Sequence, residues 1–340
     1  MTDRGTMVDA SSDVNRPARK SLRRRMLEGA VLLISVGSLL VFLLGRLGPS
    51  GLEALASPWT LQVSIVMSMG IGSLFLLGRR APALAMLPGL AWAWWVVVPV
   101  LTASPAASDG PFLRIVSFNV GVTSPPDAAA IEWLASSRAD LIGLLECTPE
   151  WVDAVAGIER EDGRRWSTII SRPRSSDVGG IALLGLDPLR DGWIGTPVDG
   201  GLPQLEATAT TALGSLRVLL VHPIPPLGFR RTEVRNATFE WMTDRCEASP
   251  VPALVVGDLN ETPFGRTFQD FTSATGLRGA GGWSPTWPVR LRGITIPSPF
   301  RIPIDHVLVP EGFVISAHRV GPDFDSDHRP VVVDVIRTPK

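Results

Sequence analysis

Eight residues of this 340-residue chain pair a carboxylate, amide or imidazole side chain with a position at the edge of an apolar, strand-like run. Asn119, Glu146, His222 and Asp258 each close such a run, while Asp305 and the pair Asp327 and His328 stand just before or at the start of others. Asn260 lies two positions beyond Asp258, so in an extended chain both side chains point the same way. Carboxylates are hard oxygen donors for a divalent cation, and an imidazole beside a carboxylate can take or give a proton near neutral pH. In antiparallel neighbours the start of one strand lies beside the end of the next, so one rim of a sheet system can collect all eight. The densest stretch, DFDSDHRP at 323–330, holds three carboxylates and a histidine ahead of the apolar run VVVDVI.

The elements that must position these groups alternate between strands and helices over residues 112–340, which we treat as one domain. FLRIVSFNV, ADLIGLLE, WSTIIS, GGIALLGL, LEATATT, LRVLLVH, ALVVGDLN, IDHVLV, VISAHRV and PVVVDVI have strand character. Helices are expected over SPPDAAAIEWLASS with Ser124 as its cap, from PEWVDAV, from about Gly228 to Glu247, and over FGRTFQDFTSATG up to Gly276. Cys147 and Cys246 are read as two buried thiols, with a disulfide open to them in an oxidising compartment.

Hydrophobic residues make up 45% of the chain and mean hydropathy is +0.22, above what an ordinary soluble domain shows. The excess lies in three uncharged stretches, 29–45, 54–78 and 81–108. Each is long enough to span a bilayer, which takes about 17–25 residues. We expect transmembrane helices at about 29–46, 58–78 and 82–103, after a basic cytosolic tail at 1–25 and before a linker at 105–111. Arg16, Arg19, Lys20, Arg23, Arg24 and Arg25 precede the first, and Arg79 and Arg80 separate the second and third. By the excess of Lys and Arg in cytoplasmic loops, those ends lie inside and the domain emerges outside, in a multi-pass protein of the cell membrane. A cleaved signal peptide ending at Ala54-Leu55-Ala56 is the rival reading of the first run, but that site lies far beyond the apolar core. Residues 1–104 carry net charge +5 and residues 105–340 net −6. An acidic outer domain disfavours nucleic acid as a partner, because nonspecific binding rests on a basic face.

The ordered set SFN, LLE, VHP, GDLN, PTW, IDH and SDH resembles the endonuclease/exonuclease/phosphatase superfamily, the DNase I-like fold, over nearly all of 112–340. The resemblance implies an α/β fold, a four-layer α/β/β/α sandwich, preceded here by three transmembrane helices. It also implies phosphoester hydrolysis with a divalent metal, Mg²⁺ with Mn²⁺ as the alternative. In that pattern Glu146 is a metal ligand, Asn119 orients it or joins the metal shell, and Asp327 is a second metal or water-positioning carboxylate. Asp258 orients or activates water, Asn260 and His222 hold the phosphate, and Asp305 orients His328 as general base or phosphate donor. Trp287 is expected to pack beneath the site, Asp323 and Asp325 to be loop charges, and His306 and His318 to have packing or surface roles.

The anchor followed by an outer domain is similar to membrane-bound actinomycete members, some linked to glycopeptide resistance. That points to a lipid-linked phosphate or pyrophosphate, such as a polyprenyl carrier. The loops PIPPLGFRR and PVRLRGITIPSPFRIP, mixing apolar residues with arginines, agree with an anionic headgroup. The alternatives are an extracellular nuclease or sphingomyelinase-like phosphodiesterase and, from another class, a noncatalytic membrane binding protein.

Overall fold

The structure, a computed structural model, describes residues 16–103, 110–159, 163, 165–171 and 179–338. Most of the expected tail and linker lies outside these residues.

Helices α1 (Arg16–Leu47), α2 (Ser50–Ala56), α3 (Thr60–Leu76) and α4 (Arg80–Thr102) come first. Three segments, Leu22–Leu47, Ser50–Leu76 and Arg80–Thr102, are long and apolar enough to cross a membrane. They pack on one another through Phe42, Met67, Ile71, Leu74, Ala83, Met86 and Ala93. Short α2 was not expected; it opens the second of these segments, ahead of α3.

The remainder is built on two sheets. The first holds β12 (Phe313–Val320), β13 (Val331–Arg337), β1 (Leu113–Asn119), β2 (Leu141–Leu145), β4 (Ile181–Gly185) and β3 (Ser167–Ile170), in that spatial order. The second holds β11 (Asp305–Leu308), β8 (Ala253–Asp258), β7 (Gly214–Val221), β6 (Gln204–Thr211) and β5 (Leu189–Gly195). A short hairpin, β9 (Arg290–Leu291) and β10 (Ile294–Thr295), stands by itself. Alternation along the strands sorts side chains between two cores. Ile115, Leu141, Val218, Leu220, Val256 and Val333 face the space between the sheets. On the far side of the first sheet, Val116, Phe118, Ile142 and Leu144 pack on α5 (Ala128–Ser136) and α6 (Pro149–Ala156). On the far side of the second, Leu219, Val221 and Val255 pack on α7 (Phe229–Glu247) and α8 (Arg266–Thr275). The result is the α/β/β/α sandwich.

Two local expectations change. The cap of α5 is Asp127, whose Oδ1 accepts from the Ala129 amide at 2.9 Å; Ser124 instead donates to the Asp325 carbonyl at 3.1 Å. Strand β5, LRDGWIG, carries Asp and two Gly and so lacks strand propensity; pairing with β6 across a bulge holds it extended. Both cysteines are free, Cys147 buried and Cys246 half-buried.

Candidate active site

Strand register brings Asn119, Glu146, His222, Asp258 and Asp305 to one rim. β1 and β2 run parallel with Asn119 opposite Leu145, so Asn119 and Glu146 leave neighbouring strands together. β7 and β8 are also parallel, with Val221 opposite Gly257, which sets His222 beside Asp258. Antiparallel β11 places Asp305 directly opposite Asp258. Gly257 has φ +144°, and a Cβ there would lie 1.9 Å from the Val221 carbonyl oxygen. Only glycine permits the approach of β7 to β8 immediately before Asp258.

Two site residues adopt left-handed backbone without being glycine, Glu146 at φ +58° and Asn260 at φ +48°. Such conformations cost energy and persist where surrounding structure enforces them, often at functional sites. For Asn260 the enforcement is visible: its amide N–H donates to Asp258 Oδ1 at 2.9 Å and its Nδ2 to the Pro223 carbonyl at 3.0 Å. Asn260 is thereby engaged with the backbone that follows His222.

Asn119, fully buried, is the hub. Its Nδ2 donates to Glu146 Oε1 at 3.0 Å and to Asp258 Oδ2 at 3.1 Å, and lies 3.5 Å from His328 Nε2. Its Oδ1 accepts from the Gly121 amide at 3.1 Å. With its oxygen turned away from the carboxylates, Asn119 orients them. Glu146 Oε2 accepts from the Val122 amide at 2.9 Å, while its side chain keeps 20% exposure, against 5% or less for His222, Asp258, Asp305 and His328. Burial would raise the Glu146 pKa, but His222, Asn119 and the Val122 amide hold it below its ordinary value.

His328 Nδ1 is 2.9 Å from Asp305 Oδ2, and His328 Nε2 is 3.6 Å from Asp258 Oδ2. Burial opposes its charge, but Asp305 and Asp258 outweigh this and raise its pKa to about 10. Near neutral pH the ring is therefore an imidazolium, a proton donor at both nitrogens. Asp258 is pushed up to about 8 by burial, with Asp305 adding and His328 opposing. His222 Nε2 lies 3.7 Å from Glu146 Oε1 and 3.6 Å from Asp258 Oδ2, beyond hydrogen-bond range. Its own burial lowers its pKa, with Glu146 and Asp305 opposing.

Asp327 takes a different position. Its Oδ2 accepts from the Trp287 indole N–H at 3.0 Å and its carbonyl from the Val289 amide at 2.8 Å, while its charge also favours the His328 imidazolium. Trp287 thus holds a carboxylate as well as packing, with its ring centroid 6.3 Å from that of His328. Asp323 and Asp325 both pair with Arg290, at 2.6 and 3.0 Å. His306 packs tilted against Phe268, ring centroids 4.9 Å apart, and His318 Nδ1 lies 3.3 Å from Ser284 Oγ.

Sequence reasoning passed over two supporting residues. Gln204 clamps the His222 backbone, accepting from its N–H at 2.7 Å and donating to its carbonyl at 3.1 Å. Ser326 Oγ accepts from the His328 amide at 3.0 Å and donates to the Asn119 carbonyl at 2.8 Å. For Gln204 the only sequence signal was its position beside a strand start, whereas Ser326 lies inside the SDH motif, where only Asp327 and His328 were given roles.

The donor set suits a hard divalent cation. Carboxylate oxygens of Asp258 and Asp305 lie within 4.8 Å of each other and of a His328 ring nitrogen, which could itself ligate only from the neutral ring. Buried Asp305 Oδ1 has no hydrogen-bond partner, and the Glu146 carboxylate is partly exposed. Carboxylate oxygens oriented by amides, with room for water, are what Mg²⁺-type sites offer.

Comparison with known proteins agrees with this geometry. The model of the Endonuclease/Exonuclease/phosphatase family matches residues 116–328. Among solved structures, the endonuclease/exonuclease/phosphatase from Beutenbergia cavernae DSM 12333 is 21% identical, with TM-score 0.53 over 67% of this chain and 72% of that one. A protein of the same description from Bacteroides vulgatus is 15% identical, with TM-score 0.54 over 67% and 100%. D. rerio TDP2, solved with a single-strand DNA product, is 14% identical, with TM-score 0.51 over 67% and 100%. No curated protein sequence matches. The family match runs from β1 to His328 and spans every residue of the rim, and the chain belongs to the endonuclease/exonuclease/phosphatase family of hydrolases that act on phosphate ester bonds.

Proposed function

We propose that the chain is a membrane-tethered, metal-dependent phosphoesterase whose domain lies outside the cytoplasm and hydrolyses a lipid-linked phosphate or pyrophosphate. The observation that carries the catalytic part is the buried network joining Asn119, Glu146, Asp258, Asp305 and His328 on one rim. Glu146 and Asp258, with Asp305 and Asp327 nearby, would hold the cation, which supplies neutralisation of charge on the non-bridging phosphate oxygens. The protein's own groups do the rest. Imidazolium His328, held by Asp305, donates to a phosphate oxygen as negative charge develops. Asn260 and His222 position the phosphate, and Asp258 orients the attacking water.

Arrangement of the helices supports the tethered part. The domain touches α1 where Arg46 donates to the Phe264 carbonyl at 2.7 Å, and α2 where Glu53 accepts from the Arg266 amide at 2.9 Å. It touches α4 where the Gly282 amide donates to the Val100 carbonyl at 2.7 Å. At the opposite end of the bundle, Arg24 and Arg79 pair with Glu28 at 3.0 and 3.5 Å. The basic end is thus distal to the domain, as the preference for Lys and Arg on the cytoplasmic side requires.

The test is phosphate release from polyprenyl pyrophosphate in mixed micelles by the full-length protein, with and without Mg²⁺. We expect metal-dependent release that falls by at least 10²-fold in His328→Ala. Release unaffected by chelation would remove the metal from the reading. Cleavage of single-stranded DNA but of no lipid phosphate would transfer the site to the nuclease alternative.

A further inference from the structure

Two loops frame the mouth of the site. The first, 223–231, follows His222, and its Pro223 carbonyl accepts from Asn260. The second, 289–301, follows Trp287 and is tied to Asp327 through the Val289 amide. Both display large apolar side chains that the domain leaves uncovered: Leu227 is 64% exposed, Phe229 65%, Leu291 55%, Ile294 67% and Phe300 62%. The other exposed large apolar side chains described on the domain, Phe112, Val122 and Trp193, stay below half, at 46%, 37% and 38%. Concentration of such side chains on two loops at one mouth marks an interaction surface.

What covers it follows from where the helices end. Gln62, in the first turn of α3, donates through Nε2 to the carbonyls of Pro299 and Arg301, both at 3.2 Å. The Phe229 ring lies so close to Gly51 in α2 that a Cβ there would meet it at 2.7 Å. From Gln62 to its end at Leu76, just before the basic pair Arg79 and Arg80, α3 rises about 21 Å at roughly 1.5 Å per residue. The hydrocarbon core of a bilayer is about 30 Å thick. With Arg79 and Arg80 held among headgroups, that rise carries Gln62 past the bilayer midplane and into the leaflet on the domain side. Pro299 and Arg301 share its depth, and Phe300 between them is exposed. Arg230, Arg231 and Arg292 are exposed beside the apolar residues, the mixture that favours an anionic lipid interface.

From these contacts we infer that the two loops are seated in the leaflet on the domain side, their apolar side chains at the acyl boundary and their arginines among lipid phosphates, so that the catalytic mouth opens onto the membrane surface. This rests on reading the helices as spans, and it deepens the lipid-substrate reading by making the bilayer the source of the substrate.

The experiment uses the full-length protein in nanodiscs containing anionic lipid, in a Cys246→Ser background, with Cys147 buried. An environment-sensitive fluorophore is placed at Leu227→Cys, Ile294→Cys or, as control, Asp187→Cys. Asp187 is exposed and follows β4 at the end of the sheet away from the site. Lipids carrying a nitroxide on the acyl chain should quench positions 227 and 294 at least threefold more than 187, and an aqueous quencher should show the reverse order. Equal quenching at all three positions overturns the inference, whatever the substrate proves to be. Lipid quenching at 227 and 294 without hydrolysis of any lipid phosphate leaves the seating standing and removes the proposed activity. Where both hold, the triple variant Leu227→Asp, Ile294→Asp, Phe300→Asp should keep turnover of a water-soluble phosphate ester and lose at least tenfold on bilayer-embedded substrate; equal loss on both would overturn the link between seating and substrate supply.

Discussion

At the scale of single residues, the site stores protons. Folded Asp258 has a pKa of about 8 against roughly 3.9 in an unfolded chain, and folded His328 about 10 against roughly 6.5. In both cases the folded state binds protons that the unfolded state has already released. Stability therefore falls as pH rises, through about 8 for Asp258 and on through about 10 for His328. For metal-free full-length protein in detergent, we expect Tm to fall between pH 6 and pH 9, with Asp258→Asn removing the earlier part of the fall. Divalent metal should restore Tm most at the alkaline end, where the carboxylates are free to bind it. A Tm that climbs over this range would show that the protons sit elsewhere. The residue types were legible from the chain, because strand edges could be read from apolar runs. The left-handed backbone at Glu146 and Asn260 was not, since neither residue type signals it.

At the scale of elements, the catalytic side chains depend on clamps between strands. Gln204 begins β6 and holds the backbone of His222 as it leaves β7. Gln204→Ala leaves a buried N–H and a buried carbonyl without that partner, at a cost of about 1–3 kcal/mol. The expected outcome is a lower Tm with fold retained by circular dichroism, and a drop in kcat larger than any change in KM; unchanged Tm and kcat would make the clamp incidental. Most elements were legible because buried strands and amphipathic helices carry periodic apolar patterns. Strand β5 and the β9–β10 hairpin were not, because their residues gain extended structure from partners and not from propensity.

At the scale of the whole molecule, helices and sandwich form one docked body, with polar ties from Arg46, Glu53 and Gln62 to the domain. Since the basic bundle end points away from the domain, a periplasm-active reporter fused after Lys340 should be active and a cytosol-active one silent. The reverse result would place the domain in the cytoplasm and discard an outer-leaflet substrate. The sequence alone determined the three apolar segments, the family pattern and the eight candidate residues, because each depends on local composition and on order along the chain. Only the tertiary structure decided which way Asn119 turns its amide, that His328 is held between Asp305 and Asp258, and that Asp327 is taken up by Trp287. It also decided that the site-edge loops meet the helix ends. These are contacts between residues up to 239 positions apart, and no local pattern encodes a partner that distant; register, sheet packing and the docking of the helices create it.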